Sequence, residues 1–402
     1  MKKIYAVIGT GFGDEGKGVI TDYLTHKIGI GIVVRYNGSG QCGHTVELEN
    51  GTRHVFSHFG SGTFNGWSTL FGHKCVVNPL VFMKEREELI EKGYEPIFYA
   101  HKDCFVTTPY DMFANQILEK LRGDGKHGSC GLGFGETIER NENHIGLQFN
   151  VSMLKLDHSE YLAQVERIKE HYIVRRISLE YPDMTLDNIQ SYNETQIDNI
   201  NVLIKYSQAI NYFKKYTIIV DDYSILNDNN IVFEGAQGLQ LDQDHENFPY
   251  VTRSNTGIKN IIEILNYMTD LPTVELVYVT RTYTTKHGAG PLLNEEPFPE
   301  YLLGADKTNV SNRHQDELRY APLNVDLLYN SIIKDTTGNE ALSCDMNTNI
   351  AITWIDIVHD NFPIIVNGKY WKLPYDEMMT VFTQSQFQSY GPTRNTTTGE
   401  IN

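Results

Sequence analysis

From Gly11 to Lys17 the chain reads Gly-Phe-Gly-Asp-Glu-Gly-Lys, a G-x-x-x-x-G-K spacing that suits a loop cradling phosphate with backbone N–H groups. Lys3–Ile8 before it is apolar and β-like, and Val19–Leu24 after it starts a helical pattern. The loop therefore joins a strand to a helix N-terminus, as phosphate capture requires. Gly18 stands where an ordinary loop of this kind places the Ser or Thr that ligates Mg²⁺. Either no metal is used or its ligand comes from elsewhere, and Asp14 is the hard-oxygen candidate. A carboxylate there repels phosphate unless a cation neutralises it or it has a proton to move. The plain alternative is a tight strand-to-helix turn whose Asp14 and Glu15 favour the helix N-terminus.

The elements that must position this loop read as an α/β fold. Ile30–Tyr36 is a second buried strand followed by glycines, and Asn230–Glu234, Thr217–Asp221 and Val274–Thr280 are strand-like. Asn78–Lys92 and Ile258–Met268 have helical spacing. Strands alternating with helices predict a mostly parallel central sheet flanked by helices, phosphate-loop-NTPase-like, with ligands at the loops after the strand C-termini. No repeat or Pro/Ser-rich linker interrupts residues 1–402, so one domain is expected, with a helical cap insertion over about 151–216.

Composition narrows the partners. The 402 residues carry 34 Lys plus Arg against 51 Asp plus Glu, a net charge of −17, which argues against nucleic acid or an anionic membrane as a partner. Anionic ligands must then be held by local devices. No stretch approaches the roughly 20 apolar residues needed to span a bilayer. The N-terminus breaks into glycines after Ile8 without a leader-like core, and five scattered cysteines suggest neither disulfides nor zinc, so a reducing cytoplasm fits.

The segment G-D-E-G-K-G resembles the opening signature of the adenylosuccinate synthetases, and five further boxes follow in order. Gln41-Cys42-Gly43-His44-Thr45-Val46 is similar to N-A-G-H-T-V, and Phe233-Glu234-Gly235-Ala236-Gln237-Gly238 matches F-E-G-A-Q-G. Asp242 to Thr256 resembles D-x-D-H…P-[YF]-V-T-S-S-N-T, and Tyr283 to Pro291 resembles Y-T-T-R-V-G-A-G-P with His287 at the valine. Ser389-Tyr390-Gly391-Pro392-Thr393-Arg394 resembles S-x-G-P-D-R.

The resemblance implies a ligase that joins L-aspartate to C6 of a 6-oxopurine nucleoside monophosphate, using a nucleoside triphosphate and Mg²⁺. The C6 oxygen leaves poorly, so it is first phosphorylated, which needs N1 deprotonated. Asp14 would be that base and a metal ligand, with the Gly43 carbonyl as a second ligand. His44 would stabilise charge on O6, and Lys17 would sit on the β- and γ-phosphates. Gly13, Glu15, Gly16, Lys17, Gly18, Asp345, Ser389 and Gly391 would bind the triphosphate nucleotide. Gln41, Ser129, Cys130, Gln237 and Thr252 would bind the monophosphate, although Ser129 and Thr252 could be turn hydroxyls bonding their own backbone. The family's arginine loop for aspartate is replaced, leaving Arg319 and Arg313, which could instead pair with Asp316 and Glu317 on the surface. A homodimer is implied, whose partner lends an arginine to the monophosphate site; Arg140 lies near the matching segment.

Several departures bear on the substrates. The family's guanine-reading T-K-x-D box is matched to Ser343-Cys344-Asp345, without its lysine, which leaves ATP or dATP beside GTP as donor. Gln41 replaces the asparagine of N-A-G-H, and Leu132 the arginine of G-R-G-I-G. These features resemble a phage branch that converts dGMP into the succino precursor of 2-aminoadenine nucleotides. That branch often carries Ser at the loop aspartate, whereas Asp14 is retained and would crowd a 2-amino group, so IMP ranks ahead of dGMP. The rivals of another class are a phosphate-loop NTPase and a nucleotide-binding module. The first lacks the Walker hydroxyl, and the second would be expected to lose Asp14, Lys17 or His44.

Overall fold

Apolar residues run unbroken from Ile4 to Ile8, and both faces of the strand they form are covered. Ile4, Ala6 and Ile8 face a cluster that includes Ile261, Ile264 and Leu265 of helix Lys259–Leu265. Tyr5 and Val7 face Ile20 and Leu24 of the helix Lys17–Ile28. A strand buried on both sides needs no polar alternation, which is the mark of a parallel sheet sandwiched by helices.

The structure is a computed structural model that describes the chain except Met1, residues 185–187, 190–196, 303–317, 338–343, 359–360, 383–384 and Asn402. Its main sheet has ten strands, in the order Thr397–Gly399, Ser385–Ser389, Met346–Thr353, Val274–Arg281, Ile4–Gly9, Asn230–Glu234, Gly31–Arg35, Ser68–Phe71, Phe98–His101 and Thr217–Val220. Every neighbouring pair is parallel except the edge pair formed by Ser385–Ser389 and Thr397–Gly399. The expected α/β class holds. A second sheet runs Tyr283–Lys286, Arg319–Asn324, Phe362–Val366 and Lys369–Leu373.

Helices start where the sequence supplies caps. Asn78 accepts from the amides of Leu80 and Val81 ahead of helix Pro79–Glu91, with Pro79 in the first turn. Thr108 with Asp111, and Asp157 with Glu160, form capping boxes for helices Pro109–Arg122 and His158–Glu180. The long helices His158–Glu180 and Ile200–Tyr216 fall within the stretch read as a cap. Their Tyr161, Ile168 and Phe213 join Phe82, Phe98 and Ile117 in one buried cluster. Among the described residues no helix is long and apolar enough to cross a membrane.

Candidate active site

The strands ending at Gly9, Arg35, Glu234, Arg281, Thr353 and Ser389 deliver the loops after their C-termini to one cavity of about 750 Å³. That is where an open parallel sheet binds ligands. Of the residues expected to act, Gly13, Asp14, Glu15, Gly16, Lys17, Gly18, Gln41, Gly43, His44, Ser129, Cys130, Gln237, Thr252, Ser389 and Gly391 all line it.

The phosphate loop turns through three left-handed residues, Gly13 (φ 95°), Asp14 (φ 61°) and Gly16 (φ 88°). A non-glycine residue adopts this conformation at a cost of about 1–2 kcal/mol, so something must hold Asp14. Arg281 Nε donates to the Asp14 carbonyl, and Thr353 Oγ1 donates to the Glu15 carbonyl at 2.6 Å. Gly18, the residue in place of the usual hydroxyl, has a steric explanation. A Cβ there would lie 2.9 Å from the Thr45 carbonyl oxygen and 3.2 Å from the His44 backbone carbon, so no side chain fits.

Glu15 has a different placement from a solvent-facing nucleotide contact. Its Oε1 accepts from the amides of Gly11 (3.0 Å) and Gly13 (2.9 Å), and its Oε2 lies 2.5 Å from Lys17 Nζ, with both side chains buried. It braces the loop and its lysine from within. Gly9 permits this, since a Cβ there would lie 2.4 Å from the Glu15 carboxylate.

Asp14 lines the cavity with a quarter of its side chain exposed, and His287 Nε2 lies 3.4 Å from its Oδ2. Burial pushes the Asp14 pKa up, but the hydrogen bond from His287 and the positive charges of Arg281, His287 and Lys17 prevail and hold it below the ordinary carboxylate value. The group stays ionised, as a base and a metal ligand must.

His44 Nδ1 lies 2.8 Å from Oε1 of Glu234; that oxygen also accepts from the Ser61 hydroxyl, and Oε2 accepts from the Ser61 amide at 3.0 Å. Despite burial, His44, Arg35 and Ser61 hold the Glu234 pKa down to about 2. Burial in turn depresses the His44 pKa, with Glu234 opposing. Tying up Nδ1 leaves Nε2 as the reactive atom of the ring. In sequence, the signal for Glu234 is a lone glutamate ending the apolar run Ile231-Val232-Phe233.

Gln41 and Gln237 both carry a buried side-chain oxygen without a hydrogen-bond partner, and both line the cavity. Unsatisfied amides of this kind are poised for a ligand's polar edge. Gln237 is also held left-handed (φ 57°). The Ser129 loop is less open to phosphate than expected. The amides of His127, Gly128 and Ser129 point to Glu119 at 3.3, 2.9 and 3.2 Å, and the Ser129 hydroxyl donates to Asn115 at 2.8 Å. The Thr252 amide donates to Leu241, leaving its side chain on the cavity wall.

Three expectations do not meet the cavity. Asp345 directly precedes the eight-residue strand Met346–Thr353, at the end of the strand away from the cavity, roughly 25 Å from the phosphate loop by strand geometry. The cavity instead receives Thr353, Trp354 and Asp356 of Thr353-Trp354-Ile355-Asp356, a segment with the Thr and Asp of T-K-x-D and Trp354 at the lysine. Trp354 sits left-handed (φ 60°) with the Arg281 guanidinium 4.3 Å from its ring centroid. Arg319 pairs with Glu295 at 2.5 Å and donates to the carbonyls of Gly288 and Gly290, off the cavity wall, while Arg313 lies outside the described residues. Arg140 is fully buried against Asp111 at 2.7 Å and the carbonyls of Leu147 and Val106, so it has no reach toward another subunit. Cations that do line the cavity include Arg53 and Lys286, whose pKa burial lowers to about 8.

No group of three or more His, Cys, Asp or Glu suited to a metal occurs among the described residues. Mg²⁺ commonly takes one or two carboxylates, waters and substrate phosphates, a set that the ionised Asp14 fits, with Gly43 lining the same cavity.

Comparisons with known proteins point to one family. The sequence profile of the family described as adenylosuccinate synthetase matches residues 6–317. Adenylosuccinate synthetase of Borrelia turicatae is 27% identical over 362 residues, covering 89% of this chain and 78% of that protein. That of Ectopseudomonas mendocina is 33% identical over 312 residues, covering 73% and 65%. That of Borrelia duttonii is 29% identical over 292 residues, so the chain spans 64% of its length. In fold, the fully ligated adenylosuccinate synthetase of Plasmodium falciparum superposes with a TM-score of 0.71 at 18% identity, over 99% of this chain and 100% of that one. The succinoaminodeoxyadenylate synthetase of cyanophage S-2L, bound to dGMP and dATP, gives 0.59 at 14% identity, over 100% and 96%.

Proposed function

The chain belongs to the adenylosuccinate synthetase family, C–N ligases of purine biosynthesis, and on that premise we propose that it ligates L-aspartate to C6 of a 6-oxopurine nucleoside monophosphate at the expense of a nucleoside triphosphate. The observation that carries this reading is the convergence of Asp14, Lys17 and the Glu234-backed His44 on one cavity.

In this reading the ionised Asp14 takes the N1 proton, and the charge released onto O6 makes that oxygen the nucleophile toward the γ-phosphorus. Lys17 and the loop amides hold the β- and γ-phosphates in line. His44, directed through Nε2, stabilises charge on O6 and then on the departing phosphate as the aspartate amine enters at C6. The unsatisfied oxygens of Gln41 and Gln237 suit the donor edge of a purine. Asp14 and the Gly43 carbonyl would hold Mg²⁺, which when bound neutralises phosphate charge. The donor's base is assigned to the wall formed by Trp354, Asp356, Ser389 and Gly391, with Asp356 taking the place expected of Asp345. A homodimer working in a reducing cytoplasm completes the proposal.

IMP is the first acceptor, because Asp14 crowds a 2-amino group. dGMP is the second, favoured by the loss of the T-K-x-D lysine to Trp354 together with Gln41 and Leu132. The test is a matrix of IMP, GMP and dGMP against ATP, dATP and GTP with aspartate, reading the succino product. Product from IMP supports the first reading; product from dGMP alone replaces it with the second.

A further inference from the structure

One stretch of chain holds Asp14 at both its backbone and its carboxylate. Strand Val274–Arg281 lies directly beside Ile4–Gly9 and continues through Thr282 into strand Tyr283–Lys286. From this stretch Arg281 Nε donates to the Asp14 carbonyl, and Lys286 Nζ stands 5.2 Å from the ring centroid of Phe12. Directly after it, His287 Nε2 reaches to 3.4 Å from Asp14 Oδ2. The turn beyond is tight, with Gly288 at φ 73° and Gly290 at φ 90°. It also abuts the Ser129 loop, since a Cβ on Gly128 would lie 2.8 Å from the Gly288 Cα. His287 therefore stands where the phosphate loop meets the proposed monophosphate loop, and it lines the same cavity.

The geometry points to His287 as a positioning residue for the base: its Nε2–H donates to Asp14 Oδ2 and leaves Oδ1 as the oxygen presented to the purine N1–H. This rests on the ligase reading above. In the step it serves, the N1–H bond breaks and an Oδ1–H bond forms. The electron pair left on N1 moves through the ring to O6, and His287 keeps its own proton. An aspartate carboxylate swings about two torsions, and a second donor removes the swing that would take Oδ1 out of line. The related box Y-T-T-R-V-G-A-G-P has valine at this place, which cannot donate, so the device belongs to this chain.

The test compares His287→Val and His287→Gln in the full chain, with aspartate, the preferred donor and whichever monophosphate the wild type uses. His287→Val should lower kcat on the order of 10- to 100-fold while each KM stays within about twofold. His287→Gln, whose carboxamide can donate to Oδ2, should recover most of the loss. Melting curves report whether each variant folds; if His287→Val does not, His287→Leu takes its place in the comparison. A kcat for the apolar variant within about twofold of wild type would overturn the inference. So would equal loss in the apolar and Gln variants with every KM raised, which is the signature of disturbed packing. A wild type that yields no succino product from any monophosphate refutes the ligase reading itself, and this inference with it.

Discussion

His44 Nδ1 and Glu234 Oε1 lie 2.8 Å apart on side chains no more than 7% exposed, one opening a strand after a glycine turn and the other closing a central strand of the main sheet. The carboxylate fixes the ring's tautomer and orientation together, which in the proposed reaction directs Nε2 to the substrate.

Glu234→Gln keeps the shape and removes the charge. It should lower kcat roughly a hundredfold or more, with KM for the monophosphate changed far less. Steady-state kinetics beside a melting curve check this, and an unchanged kcat would remove His44 from the reaction.

Asp22 carries the opposite electrostatics. Its burial outweighs the Arg394 ion pair at 2.9 Å and raises its pKa from 3.8 to about 7. Between those values the folded chain binds a proton that the unfolded chain has released, so this contribution to stability is full below pH 3.8 and is lost as pH rises through about 7. Denaturant melts of wild type and Asp22→Asn at pH 4.5 and pH 8 should show the wild type gaining on the variant at the lower pH, by up to a few kcal/mol. A pH-independent difference would contradict the assignment.

Gly18→Ser would supply the hydroxyl missing from an ordinary phosphate loop. The steric reading predicts damage rather than a better metal site, because the new Cβ meets the Thr45 carbonyl oxygen at 2.9 Å. A stability loss of about 1–3 kcal/mol together with reduced turnover is expected. Activity equal to or above wild type would show that position 18 has room.

Trp354→Ala should raise KM for the triphosphate roughly tenfold, the value of one lost base-stacking contact, and leave KM for the monophosphate nearly unchanged. Kinetics with each substrate varied in turn separate the two. A larger effect on the monophosphate would move Trp354 to the other subsite.

The parts that were legible in the sequence are those written in local chemistry. The glycine loop and the strands around it follow from short boxes, and the cavity gathers Asp14, Lys17 and His44, whose proposed roles come from the family resemblance. The misplacement of the base-reading aspartate came from strand register. Cys344-Asp345 and Thr353-Trp354-Ile355-Asp356 lie at the two ends of the same strand, and only its parallel pairing with Val274–Arg281 tells which end faces the phosphate loop. Arg319 was expected to hold aspartate or to pair with Asp316 and Glu317; its partner Glu295 lies 24 residues away and its carbonyl partners come from a turn, which spacing alone does not show. His287 was visible as a departure from a valine, but its meaning depends on a loop 273 positions earlier, counted as 287 − 14.

The account stands or falls on whether the purine carbonyl is phosphorylated before nitrogen enters. The direct measurement uses a monophosphate carrying ¹⁸O at C6, with aspartate and unlabelled triphosphate, and follows the heavy atom by mass spectrometry. The label is predicted to leave the purine and appear in the released inorganic phosphate, one atom per succino product formed. Phosphate released without label while succino product accumulates, or phosphate release that ignores the monophosphate altogether, would contradict it.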